Sequence, residues 1–125
     1  MSNNKTNIID QIWEKALVVE GIDPNLYRKD SAGAWISRTA FGDAGSIFGW
    51  EIDHIYPVSL GGDNNIINLR PMNCGNNRSK GNSYPYYVAD VVSDGNTNIY
   101  RKTQCTVNIK LQTILNQLYQ NDFAH

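Results

Sequence analysis

The chain has 125 residues, 41% of them hydrophobic and 10% aromatic, which suits one domain with a modest core and excludes a disordered polypeptide. A formal net charge of −1 excludes a globally cationic nucleic-acid binder, although residues 70–110 carry six bases against two acids, a local excess compatible with phosphate contact. No run approaches 18 apolar residues and the N-terminal stretch lacks the unbroken apolar core of a secretion signal, so a cytoplasmic protein without membrane spans is expected.

In chain order, residues 6–20 place Ile8, Ile9, Ile12, Trp13 and Ala16 at helical spacing, with Gly21 as a stop. Two short strands follow about a turn at Ser31–Gly33, and a further extended stretch runs to Pro57. The sequence SLGGDNN is a loop by composition, and CGNNRSKGN is polar enough to form only a short helical turn. A hairpin is predicted between YYVADVV and TNIYRK with Asp94–Gly95 at its turn. The last element, TVNIKLQTILNQLYQ, reads as a helix with Val107, Leu111, Ile114, Leu115 and Leu118 at helical spacing. One domain over 1–125 is expected, of α+β class. Cys74 and Cys105 stand 31 residues apart with no CxxC pair, which argues against a disulfide framework and for ordinary part-buried thiols.

The stretch WEIDHIYPVSLGGDNNIINLRPMNCGNNRSKGN, residues 50–82, concentrates the chemistry. Its asparagines can ligate a metal, cap a helix or tolerate a turn, and their types alone leave those jobs open. Hydrolysing a phosphodiester needs a base near neutral pKa to activate water, the natural task of histidine, and a divalent cation to offset building charge. Magnesium takes one or two protein oxygens, which Asp53 and an asparagine amide can supply. Neighbours on a strand face opposite ways, so Asp53 and His54 can share a site only where the strand ends, and Pro57 with Gly61–Gly62 supplies such an end.

As an ordered set, Asp53-His54-Ile55, Pro57, Ser59, Gly61-Gly62, Asn68-Leu69, Pro71, Asn77 and Lys80-Gly81 resemble the HNH endonucleases of the ββα-metal nuclease superfamily, in the variant with Asn at the last motif position. Asn68 and Asn77 follow His54 at +14 and +23, the spacing of the HNH domain in RNA-guided CRISPR nucleases. The resemblance implies a ββα-metal core, with the hairpin through 51–70 and a helix from near Asn73, plus an N-terminal helix, an extra hairpin and a C-terminal helix. It implies His54 as general base, Asn68 as the asparagine that holds the loop, and Asp53 and Asn77 as metal ligands, with Asn76 the rival of Asn77. Lys80, Arg78 and Arg70 would contact nucleic acid, and Glu51, two residues before Asp53, would support the metal. The ion would be Mg²⁺, with Mn²⁺ as alternative, and without the paired CxxC motifs of many relatives no structural zinc is expected.

The implied activity is DNA hydrolysis leaving 5′-phosphate and 3′-hydroxyl ends; RNA as substrate and homodimerisation are left open. Two other classes also stay open: a non-catalytic nucleic-acid-binding module and a subunit activated on assembly. Gly61–Gly62 and Asn64–Asn65 read as loop, the three tryptophans as core, Tyr84, Tyr86 and Tyr87 as undecided between core and surface, and Arg28 and Arg38 as ion-pair partners of nearby acids. His125 reads as a frayed terminus.

Overall fold

The computed structural model describes residues 7–120, so His125 lies outside the described residues. The elements run α1 (Ile8–Trp13), β1 (Tyr27–Lys29), β2 (Trp35–Ser37), β3 (Trp50–His54), β4 (Leu69–Asn73), α2 (Cys74–Lys80), β5 (Tyr86–Asp94), β6 (Thr97–Thr106) and α3 (Ile109–Tyr119). Six strands make three separate antiparallel ribbons, β1–β2, β3–β4 and β5–β6, so the class is α+β. No helix among the described residues is long and apolar enough to cross a membrane.

Helix α1 is much shorter than its periodicity predicts, ending at Trp13 instead of residue 20. Helical spacing continues to Ala16, which is buried, but Leu17 exchanges both backbone hydrogen bonds with Lys29, at 2.8 and 3.0 Å. Pairing with β1 takes the backbone groups that another helical turn would need, and the β-branched Val18–Val19 pair resists helix little less than it favours strand. The second hairpin and the C-terminal helix form as expected, but β6 runs on from residue 102 to Thr106 and α3 begins only at Ile109, leaving Val107 outside it. Gly95, at φ 60°, opens the two-residue loop between β5 and β6 that the Asp94–Gly95 pair announces.

The β3–β4 ribbon divides the interior. In its register Trp50 faces Asn73, Asp53 faces Arg70 and His54 faces Leu69, and opposed residues share a face. One face carries Trp50, Ile52 and Leu69, which pack with Ile12, Trp13, Ala16 and Ile36. The other carries Ile55 and Met72, which pack with Tyr56, Tyr87, Val107 and Leu115. All three tryptophans are buried, as expected of core residues. Tyr84 and Tyr87 belong to the second core, whereas Tyr86 is exposed. Arg28 pairs with Glu14 at 3.8 Å and Arg38 pairs with Asp10.

Asparagine serves as the helix starter throughout. Asn7 accepts from the Asp10 amide at 2.8 Å, Asn73 from Gly75 at 2.9 Å and Asn108 from Leu111 at 2.8 Å. Beneath the β4–α2 junction lies Asp30, fully buried. Its Oδ1 accepts from the amides of Ala32 and Ala34, and its Oδ2 from the amide of Asn73 and from Asn76 Nδ2, all within 2.9–3.1 Å. Burial still pushes its carboxyl above the usual range, against the lowering effect of those four donors.

Candidate active site

Residues 50–82 fold as strand, loop, strand and helix, with the loop tied back on itself by Asn68. That side chain is fully buried: Oδ1 accepts from the Tyr56 amide at 2.7 Å, while Nδ2 donates to the carbonyls of Tyr56 at 3.0 Å and Asp63 at 3.1 Å. Gly62 closes against the same point. A Cβ there would stand 1.8 Å from the Tyr56 carbonyl oxygen and 2.9 Å from Asn68 Nδ2, so no larger residue fits. Gly61 and Gly62 thus shape the loop, as their composition predicts.

At the end of β3 the side chains of Asp53 and His54 diverge. His54 is half-buried on the α1 side of the ribbon, and its Nε2 lies 2.7 Å from Asn64 Oδ1. With the asparagine oxygen as partner, Nε2 is the ring nitrogen that donates, which leaves Nδ1 free of a side-chain partner among the described residues. Asn64 was expected to be loop filler. It is the side chain that fixes the imidazole, and only its place in the folded loop reveals this. Its neighbour Asn65 caps the 3₁₀ turn at Ile66–Asn68, accepting from Ile67 at 3.0 Å.

Asp53 points toward α2 and is 2% exposed. Arg70 Nε reaches its Oδ2 at 2.9 Å and Lys80 Nζ its Oδ1 at 3.1 Å. Lys80, expected at a phosphate, is 1% exposed, and its ammonium also donates to the carbonyls of His54 at 3.1 Å and Ile55 at 3.2 Å. Burial lowers its pKa from the usual lysine value, with the Asp53 carboxylate opposing. Arg70 lies 5.5 Å over the Tyr87 ring, and its buried Nη2 has no hydrogen-bond partner among the described residues. These two cations therefore brace the interior around Asp53; they do not stand on a surface. Of the three sequence cations only Arg78 does so, with 63% of its side chain exposed.

Glu51 shares the face of Asp53 and meets α2 further along. Its Oε1 accepts from Asn77 Nδ2 at 3.1 Å and its Oε2 from Arg78 Nη2 at 3.2 Å. Asn77 Oδ1 has no partner among the described residues. Its neighbour Asn76 is consumed by the fold: Oδ1 accepts from the amides of Asp90 at 2.9 Å and Val91 at 2.7 Å, and Nδ2 donates to Asp30 and to the Val91 carbonyl. It fills the register shift of β5 between Ala89 and Val91. Cys74 lies beside Glu51, and burial with that carboxylate pushes its thiol up to about 11.

Among the described residues no three His, Cys, Asp or Glu side chains form a cluster that could hold a metal ion. The accessible donors are instead the Glu51 carboxylate and the Asn77 amide oxygen, hard oxygens that suit an ion completed by water and phosphate. Asp53 can join them only by giving up Lys80 or Arg70.

Residues 44–86, which include all of β3, β4 and α2, match the family model described as HNH endonuclease. No curated protein and no solved structure matches the chain.

Proposed function

Because the chain belongs to the HNH endonuclease family through residues 44–86, we propose that it is a metal-dependent endonuclease hydrolysing phosphodiester bonds in DNA. In this reading β3, β4 and α2 are a ββα-metal core and the whole chain is one nuclease domain. The supporting observation is that the ordered motif falls on strand, loop and helix, with His54 Nε2 held by Asn64, Asn68 tying the loop and Asn77 held to Glu51.

His54 is the general base: Nδ1 takes the proton of a water whose oxygen bonds to phosphorus as the P–O3′ bond opposite breaks, and the departing 3′ oxygen takes a proton from solvent water. A 5′-phosphate and a 3′-hydroxyl result. Asn64 holds Nε2, and Asn68 holds the loop that carries Asn64. Asn77 Oδ1 with the carboxylates of Glu51 and Asp53 would hold a divalent ion, magnesium or manganese, whose role when bound is to offset charge building on the phosphate. Lys80 and Arg70 keep Asp53 compensated until then, and Arg78 is the cation placed to meet a substrate phosphate. One such site cuts one strand, so a monomer nicks and a homodimer cuts both.

A second reading, activity only on assembly with a partner, is favoured by one observation: both Asp53 oxygens are occupied by buried cations. The test is supercoiled plasmid in EDTA, Mg²⁺ or Mn²⁺ with His54→Ala alongside. Metal-dependent nicking that falls at least about 100-fold in the variant supports the nuclease. DNA binding without cleavage in any metal removes the stand-alone enzyme.

A further inference from the structure

With Lys80 and Arg70 buried, the cations expected to grip substrate leave only Arg78 beside the site. Arg78 does more than pair with Glu51. It also lines a cavity of about 180 Å³ bounded by α2, the start of β6 and the loop at 44–47, with Ser46, Ile47, Val91, Ile99 and Tyr100 among the walls. Tyr100 is 89% exposed, more than any other large apolar side chain among the described residues. Burial cannot be what holds an aromatic there. In the β5–β6 register it stands opposite Val91, whose side chain faces α2, so the ring is carried on the α2 side of the ribbon at the cavity's edge.

The cavity's polar atoms divide into spent and available. Both amide hydrogens of Asn98 go to the carbonyls of Trp35 and Ile47, and Asn73 is likewise consumed. Ser46 Oγ accepts from the Phe48 amide at 3.1 Å and keeps its hydroxyl hydrogen to donate. The remaining guanidinium nitrogens of Arg78 can donate too. The volume lies well under the roughly 300 Å³ at which pockets for drug-sized ligands begin. It takes one flat ring system and not a base pair.

We propose that this cavity receives a single unpaired nucleobase of the substrate, stacked on Tyr100 with its phosphate against Arg78, so that the next phosphodiester lies at Glu51 and Asn77. The inference rests on the nuclease reading and narrows its substrate to single-stranded or locally unpaired nucleic acid. Stacking is tolerant of base identity because every base offers a π-face, so the pocket sets strandedness more than sequence.

The test is fluorescence anisotropy in EDTA, where no cleavage occurs, with labelled single-stranded DNA and a duplex of equal length. Wild type should prefer the single strand. Tyr100→Ala should lose about tenfold on it, Tyr100→Phe should stay within about twofold, and duplex binding should be the same in all three. A 2-aminopurine strand should be quenched by wild type and by Tyr100→Phe but not by Tyr100→Ala. Equal binding of single strand by wild type and Tyr100→Ala, or equal affinity for duplex, overturns the pocket. Metal-dependent cleavage of supercoiled plasmid and of a single-stranded circle judges the nuclease separately. Cleavage of either with Tyr100-independent binding removes the pocket alone; Tyr100-dependent binding with neither cut keeps the pocket and removes the enzyme.

Discussion

Toward α2, β3 presents Glu51 and Asp53, and each carboxylate is held by two side chains from β4 or α2. Toward α1, the same strand ends in His54, held through its ring by Asn64 alone. One side is rigid and charge-compensated, the other half-open and lightly tethered. A carboxylate buried beside two cations is stable only with both present. The role proposed for His54, a base that exchanges protons with water, needs access and one orienting contact.

Substitutions can break this contrast from the rigid side first. Lys80→Met keeps the stem but removes the charge, leaving Asp53 with Arg70 alone and the carbonyls of His54 and Ile55 without a donor. It should cost about 4 kcal/mol in urea unfolding, within the range for breaking a buried ion pair. Asn76→Ala and Asn77→Ala, one residue apart, should separate cleanly. The first strands Asp30 and the backbone of Val91 and should cost about 3 kcal/mol. The second should change stability by under about 0.5 kcal/mol and yet reduce metal-dependent nicking about tenfold or more.

On the open side the effects are smaller. Asn64→Ala should leave the melting curve unchanged and slow nicking about tenfold, because the imidazole loses its fixed tautomer and keeps its chemistry. The smallest expected effect is a chemical one. Cys74, pushed up to about 11, holds roughly a thousandth of its thiol as thiolate at pH 8, since a raised pKa keeps the proton on until pH approaches it. Ellman's reagent should therefore leave Cys74 untouched in native protein and react once urea exposes it. Rapid native labelling would show that the Glu51 side opens readily to solvent.

Much of this was legible because it is local. The motif residues, the Gly-Gly loop and the Asn68 position lie within 33 residues of sequence, and their turn chemistry constrains the chain directly. What could not be read was burial of charge. Lys80 after a polar helical turn looks like any surface lysine; only the meeting of α2 with Asp53 and two carbonyls, more than 24 residues away in sequence, hides it. Helix α1 was overextended for a kindred reason, since the Leu17–Lys29 pairing is a tertiary fact that periodicity does not contain. Asn64 reads as loop filler because loop asparagines usually do serve only the turn.

Asp30 carries a consequence for how this segment may be moved between proteins. It lies outside the stretch that matches the family, yet it accepts from the Asn73 amide that starts α2 and from Asn76 within it. A graft of 44–86 into a new host would arrive with two buried donors pointing at nothing. The recipient would have to supply a carboxylate at that spot, so the segment is transplantable only together with the β1–β2 turn beneath it.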